Sequence, residues 1–479
     1  MSGVRRSTAI GVAVLPTALA ALLGALVLSW PMLFVTAPVG YFDTLGYLAQ
    51  GETAAMAIFD LDGAPPDAGA AEQAGSREDG LGDEGIRAAR SPVYSLFAFL
   101  TAQTPLGLAL TTMLQTAAVL FLVLAVFGQR AIAARVGIPM VVMIGFFTPL
   151  PWMASYAMPD LLAAAIIAFA MLLVSRWDGM TLMMRSLAVL IAAFATISHY
   201  GHLPFAAGLL AGTLLLLLVS KRLRLGAALA AITPVAVAVG VSLAGSTVAM
   251  DGPSLAPKRL PILLARSIQD GPALWHLQAA CPEADYALCR HFPEMPDTVT
   301  EFLWDENGIA SLTASELDEV RREEFRILWN AFLDYPIAQT TSLAGNALLQ
   351  IVKVGTGEIL PLLEGDGRSG YVIGDRDAYP ILRGFNVLSA LGVLVGVVIV
   401  VAAGLRRPIE SGVSRAGLVL LGGLILNAVI FGGLSYPVDR YQSRIAWLIP
   451  VYALLLLSHR RKEPGGAASW CPRRASSSD

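Results

Sequence analysis

Charge is what this chain has least of. Only 14% of its 479 residues are Asp, Glu, Lys or Arg, against 56% hydrophobic, and the mean hydropathy is +0.64. Soluble domains carry roughly a quarter charged residues, so the composition belongs to the membrane class. Lysine is scarce and no basic stripe or nucleic-acid motif is present, which argues against DNA or RNA as a partner. Three cysteines are too few for a disulfide scaffold, although Cys281 and Cys289 lie close together and Cys471 stands alone. Internal repeats at solenoid or inverted-half spacing are also lacking. That counts against a transporter built from two related halves.

What the chain has instead is long apolar runs. They fall near 9–35, 106–127, 137–157, 160–174, 186–199, 203–219, 226–247, 382–403, 416–435 and 445–458. These predict an all-α polytopic membrane protein with about ten transmembrane helices. Several are shorter than the roughly 20 residues a span needs, which predicts ends buried in protein. The first run follows Arg5 and Arg6 and is nearly twice the roughly 7–15 residues of a signal-peptide core, so it is read as a membrane helix. Segment 92–103 is amphipathic and is expected along the interface.

Positive charge sets the expected orientation. Arg5/Arg6, Arg130/Arg135, Arg176/Arg185, Lys221/Arg222/Arg224, Arg406/Arg407 and Arg460/Arg461/Lys462 fall on alternate connections. All share one side if both termini are cytoplasmic. The expected divisions are a first transmembrane helix at 1–36 and a first outer loop at 37–105, with a mobile insert at 63–85. Helices two to seven occupy 106–247, a small α-rich non-cytoplasmic domain 248–381, helices eight to ten 382–458, and a disordered cytoplasmic tail 459–479. In a bacterium this is an inner-membrane protein with a periplasmic or extracellular domain.

Within that domain, Ser315 to Leu333 reads as an amphipathic helix with Leu317, Val320, Phe325, Leu328, Trp329 and Phe332 on its apolar face. Thr313 or Ser315 would be its N-cap. The domain is expected to pack on the membrane part rather than fold alone. In an oxidising compartment Cys281 and Cys289 are expected to form a local disulfide.

Five polar clusters share the outer rim in this topology: Asp43 with Tyr41 and Tyr47; Arg90-Ser91-Pro92-Val93-Tyr94; Pro159-Asp160; His199-Tyr200-Gly201-His202; and Asp439-Arg440-Tyr441. Ionisable groups at membrane depth are costly and mark function or a specific partner. A carboxylate there can serve as general base, and an arginine can hold a phosphate in a bidentate fork. Each has a plainer reading. Asp43 and Asp160 suit helix starts, the histidines suit the interface, and Arg440 with Asp439 suits a surface ion pair. Asp60 and Asp62 look like a chelating pair but precede a Pro/Gly-rich turn. His199 and His202 offer no third ligand in sequence, so a divalent metal has only weak support there, and the residues point to no certain cofactor.

In order, Asp43 with Tyr47, Arg90/Pro92/Tyr94, Pro159-Asp160 and the late Arg440-Tyr441 resemble the GT-C superfamily. Its members are integral-membrane glycosyltransferases using polyprenyl-phosphate sugars, such as protein mannosyltransferases and the lipid A aminoarabinose transferase. The resemblance covers chiefly the first 220 residues and the last 50. It implies Asp43 as catalytic base with Asp160 assisting, and Tyr47, Arg90, Tyr94, His199, His202, Arg440 and Tyr441 as substrate-binding residues. The implied partners are a polyprenyl-phosphate sugar donor, a lipid, glycan or protein acceptor, and membrane lipid. The chain departs from the family at Thr44, where an acidic residue is common, in its long first-loop insert, and in the position of its outer domain. A polysaccharide polymerase or ligase would use arginines of a late loop, here Arg259, Arg266, Arg290 and Arg376. A transporter or flippase would need ionisable groups at mid-span and broken helices, for which Pro149/Pro151 and Pro234 are the candidates.

Overall fold

The computed structural model describes residues 3–35, 38–59, 90–127, 137–249, 252–256, 259–281, 283–365, 370–406 and 411–459. The expected insert at 63–85, Asp60, Asp62, Arg130, Arg135, Arg407, Cys471 and the tail beyond His459 lie outside the described residues.

Helices dominate because a segment in lipid must satisfy its own backbone groups. Among the described residues, six are long and apolar enough to cross a membrane: windows Val14–Val35, Leu108–Phe127, His202–Val219, Leu225–Thr247, Gly384–Gly404 and Gly412–Gly433. The chain is an all-α membrane protein in this sense. The first runs from α1 (Gly3–Leu28) through the short helical turn Met32–Val35, and the others lie on α4 (Leu108–Phe127), α9 (His202–Val219), α10 (Leu225–Ala249), α17 (Ile381–Arg406) and α18 (Ser411–Asn427). The last runs on through a π-helical turn, Ala428–Gly433.

The other four expected spans form shorter helices. The run at 137–157 is broken into α5 (Gly137–Phe146) and α6 (Leu150–Ala154). Pro149 and Pro151 lack N–H donors, and Pro149 disfavours a helical Thr148. Thr148 instead bonds back to the Ile144 carbonyl at 2.7 Å. The run at 160–174 becomes a 3-10 turn, Pro159–Leu161, and α7 (Leu162–Ser175). Every residue from 159 to 174 is buried, so protein rather than lipid encloses this helix and no spanning length is required. The run at 186–199 is α8 (Leu182–Ile197). The last expected span begins earlier than its apolar residues, as α19 (Asp439–Ala446), and continues as α20 (Leu448–His459) with only Trp447 between.

One end of this bundle is closed by arginine. Arg176 donates to the carbonyls of Val126 and Phe127 at 2.6 and 2.7 Å, satisfying the exposed C-terminus of α4. Arg415 donates to Val174 at the C-terminus of α7. The first-loop helices lie at the other end. Here α2 (Phe42–Phe59) packs along α3 (Pro92–Ala102), so segment 92–103 is one half of a helical pair.

A three-stranded antiparallel sheet, unforeseen in the sequence, ties the first loop to the outer domain. Its order is β1 (Val39–Gly40), β2 (Leu360–Glu364), β3 (Tyr371–Ile373), with Val39 opposite Pro361 and Leu362 opposite Ile373.

The domain has its own apolar cluster, and it also packs on the membrane part through β2 and its final helix. Leu264, Ile268, Leu277, Leu288, Phe302 and Ile327 form part of a cluster separate from the main one. These come from α11 (Ile262–Asp270), α12 (Pro272–Ala280), α13 (Ala287–His291), α14 (Val299–Trp304) and α15 (Ala314–Asp334). Cys281 and Cys289 are disulfide-bonded. Thr313 caps α15 in a reciprocal capping box with Glu316. The buried face of α15 is Leu317, Val320, Glu324, Ile327 and Ala331, whereas Phe325, Trp329 and Phe332 are exposed, which corrects the expected apolar face. The final domain helix, α16 (Pro336–Val352), packs against the π turn of α18.

Candidate functional site

The site is built on β1. Val39 receives its place from two backbone hydrogen bonds: its N–H donates to Ser155 and its carbonyl accepts from Ala157, at 2.9 and 2.8 Å. On its other side β1 pairs with β2. The chain then enters α2, with the Thr44 hydroxyl accepting the Tyr41 N–H at 3.1 Å. Asp43 thus sits in a first helical turn held from two directions.

Arg90 arrives from the far side of the first loop. Its Nη2 donates to Asp43 Oδ1 at 2.8 Å, and its carbonyl accepts from Gln50. Gly46 makes the approach possible, because a Cβ there would collide with the Arg90 guanidinium. Ser91 caps α3 and also donates its hydroxyl to Ile197 at the end of α8. Tyr94 is buried, donates to Gln115, and meets Tyr47 edge-on with ring centroids 5.1 Å apart. Gln115 passes the connection on to the Tyr156 carbonyl at 2.7 Å.

From the C-terminal end of the chain, Arg440 reaches the other oxygen, Asp43 Oδ2, at 3.4 Å. Its guanidinium lies over the rings of Tyr41 and Tyr441, at 4.5 and 5.0 Å from their centroids. Its backbone N–H donates to Glu358 Oε2 at 3.0 Å. The preceding residue but one, Val438, is held by the side-chain amide of Gln350 through both its carbonyl (2.8 Å) and its N–H (3.0 Å). The plainer reading of Arg440 as partner of Asp439 therefore fails. Its carboxylate is Asp43, nearly 400 residues earlier in the chain.

One turn further along α19, Arg444 is fully buried. It meets Asp160 at 3.3 Å, donates to Asn427 Oδ1 at 2.8 Å, and lies 3.9 Å from the centroid of Phe431 in the π turn. Asp160 is thus tied to Arg444, not to Asp43. His199 and His202 flank the same ring, Phe431, and their own rings are 5.1 Å apart. His202 Nδ1 is paired with the Ala195 carbonyl, and His199 Nδ1 accepts from Gly201. Among the described residues no group of three His, Cys, Asp or Glu side chains has metal-binding geometry. The histidines and Asp160 do not compose a divalent-cation site.

Charge in this cluster is set by burial and by the arginines. Burial pushes the Asp43 carboxyl up, but the charges of Arg90 and Arg440 and the Arg90 hydrogen bond outweigh it, leaving it below the usual carboxylate value. Its side chain keeps 32% exposure, so it remains reachable from outside. Burial pushes the His199 imidazole down to about 4, with Asp160 opposing and Arg444 and Arg440 adding to the fall. At neutral pH the ring is uncharged.

All nine site residues expected from the sequence stand on this one assembly. Asp43, Arg90 and Arg440 are in direct contact. Tyr47 packs against Arg90 and Tyr94, Tyr441 against Arg440 and Arg444, and Asp160 and the two histidines form an adjoining layer. Arg444, Asn427, Glu358 and Gln350 were missed. For Arg444 a signal existed, since Arg440 and Arg444 at i and i+4 share one helical face. The domain arginines proposed for a polymerase are otherwise engaged: Arg259 with Glu324, Arg266 with Asp270, Arg290 with Asp285 and Glu319, and Arg376 with the Gly357 carbonyl.

Below Phe431 a groove of about 380 Å³ opens between α9 and α18, lined by Gly208, Gly212, Thr213, Leu418, Gly422 and Leu426 among others. Among known proteins, no family model, no curated protein and no solved structure matches this chain.

Proposed function

We propose that this chain is a membrane glycosyltransferase of the GT-C kind, moving a sugar from a polyprenyl-phosphate donor to a lipid, glycan or protein acceptor. The observation that carries the reading is the Asp43 carboxylate clasped between Arg90 and Arg440 at the ends of apolar helices. Two arginines converging on one anion form a site that a phosphate can enter, and a reachable carboxylate beside it is a proton acceptor.

In this mechanism the donor phosphate takes over the guanidinium donors of Arg90 and Arg440. Asp43, relieved of those charges, regains basicity and accepts the proton of the acceptor hydroxyl or amine. The acceptor oxygen or nitrogen bonds to the anomeric carbon as the carbon–oxygen bond to phosphate breaks, inverting the centre. The phosphate leaves with both electrons of that bond, its charge offset by the arginines. Neutral His199 and the Asp160–Arg444 layer line the acceptor side. The groove between α9 and α18 receives part of the prenyl chain, since it is apolar and leads away from Phe431 into the membrane part.

The same proposal places about ten membrane crossings, with both termini in the cytoplasm. The Asp43 side and the 248–381 domain then face the periplasm or exterior of a bacterial inner membrane. The test is Asp43→Asn in membranes supplied with polyprenyl-phosphate sugars. Loss of acceptor-dependent sugar release, by about 10²–10⁴-fold, is expected at unchanged protein level. Turnover equal to the unaltered protein removes Asp43 from the chemistry.

A further inference from the structure

We infer that the outward face of α16 lies in the membrane leaflet on the Asp43 side, so that the outer domain is seated in lipid through this helix. The inference stands apart from the proposed reaction.

Helix α16 carries no charged residue in its 17 positions. At 1.5 Å per residue it is about 25 Å long, whereas α15 directly before it is rich in acids and arginines. One of its faces is fixed. Ala347 and Gln350 are buried, and Gly432 of the π turn has no room for a Cβ because the Gln350 side chain lies against it. The opposite face repeats at i, i+4, i+7, i+11 and i+15 as Ile337, Thr341, Ala344, Leu348 and Val352, all exposed. Ile337 is 79%, Leu348 67% and Val352 69% exposed.

What covers this face follows from where it sits. The π turn against which α16 packs ends a segment, Gly412–Gly433, that is long and apolar enough to cross a membrane, so α16 lies alongside the end of that segment. A charge-free apolar face of this length in water is a liability, whereas in lipid it is at rest. The preceding turns of α15 present Phe325, Trp329, Phe332 and Leu333 at i, i+4, i+7 and i+8, with Trp329 and Phe332 stacked at 5.8 Å. An exposed tryptophan such as Trp329 beside a lipid-facing segment suits the headgroup level, where indole rings collect, and the flanking phenylalanines and Leu333 extend the apolar surface. The occupant is therefore bilayer lipid rather than a second protein.

The test uses the full chain, with Cys471 replaced by serine, in nanodiscs of phosphatidylethanolamine and phosphatidylglycerol. Single cysteines are placed at 337, 348 or 352, with Asn307→Cys as the solvent control, and spin-labelled. Collision rates are read with oxygen, which partitions into lipid, and with an uncharged nickel chelate, which stays in water. At 348 and 352 oxygen access is expected to exceed, and nickel access to fall several-fold below, the values at 307. Nickel access equal to the control overturns the inference. So does exclusion of both probes together with cross-linking between copies, which would mean that a second chain covers the face.

Discussion

Arg444 meets Asp160 at 3.3 Å with both side chains out of solvent, while Arg440, one turn back on the same helix, reaches Asp43. A single helical face thus presents one arginine to a buried partner and one to an accessible carboxylate. The two pairs have different consequences. The inner one is a structural tie between α19 and the start of α7. The outer one can open.

Removing one member of the inner pair leaves a charge buried without its partner, which costs about 3–5 kcal/mol. Arg444→Met is therefore expected to lower the thermal midpoint in detergent sharply. Arg444→Met combined with Asp160→Asn should recover a large part of that loss, because neither buried charge remains. Equal midpoints for the single and double variants would mean that the Asp160 pairing contributes nothing.

Gly46 tests the outer pair without replacing a charged residue. Alanine at 46 keeps the helix and even favours it by about 1 kcal/mol, but its Cβ occupies the Arg90 guanidinium position. Gly46→Ala should keep the protein folded while reducing transfer by an order of magnitude or more. In an Arg90→Ala background the same change should have little further effect. Independent, multiplying losses would show that Gly46 acts elsewhere.

The outer cluster was legible in the sequence because its members sit in short polar motifs at the ends of apolar runs. Asp43, Arg90 and Arg440 each stand within a few residues of an apolar helix, where ionisable groups mark function or a specific partner. Their pairing was not legible, since Arg440 stands next to Asp439 and nothing local says its carboxylate lies at 43. Gln350 and Glu358 carried no signal at all. They act through the Val438 carbonyl and N–H and the Arg440 N–H, and such contacts depend on tertiary position rather than on residue pattern. The break in the run at 137–157 was legible in Pro149 and Pro151 though not in hydropathy, whereas the α15 face was not, because apolar periodicity does not distinguish a core from lipid or partner.

Gln350 provides the third test. Its amide satisfies both polar groups of Val438, two residues before Arg440. Gln350→Ala leaves those groups without their partner and is expected to cost about 1–3 kcal/mol. If Gln350 positions Arg440, donor affinity should fall more than the maximal rate, since the phosphate clamp loosens first. Gln350→Glu, which keeps the acceptor for the Val438 N–H but loses the amide donor, should lie between. A change in stability with unaltered donor KM would make Gln350 structural only.

The pH profile follows from His199. Its folded value of about 4 lies below the ordinary 6.5, so protons bind the unfolded chain more readily between those values. Stability from this group is present in full above about 6.5, falls as pH drops toward 4, and levels off below. His199→Gln should flatten the acid side of a stability curve measured between pH 7 and 4. Asp43, held below the usual carboxylate value by its arginines, stays ionised over that interval and should contribute no loss above pH 5. An unchanged acid slope in His199→Gln would show that another group controls it.

The groove between α9 and α18 gives the reading of the donor its own test. Gly212 and Gly422 both line it, and no atom lies within 4 Å of where a Cβ would stand at either position. Leucine at either position can therefore be accommodated without disturbing the fold, filling space that a prenyl chain would occupy. Each methylene of buried prenyl chain contributes about 0.8 kcal/mol, so displacing a few isoprene carbons should raise the KM for a long-chain donor by one to two orders of magnitude. A donor too short to reach the groove should bind the Gly212→Leu and Gly422→Leu proteins as it binds the unaltered one. The maximal rate with the long donor should change little, because Asp43, Arg90 and Arg440 are untouched. Equal KM changes for long and short donors would place the chain elsewhere on the membrane surface, even if Asp43 proves essential for transfer.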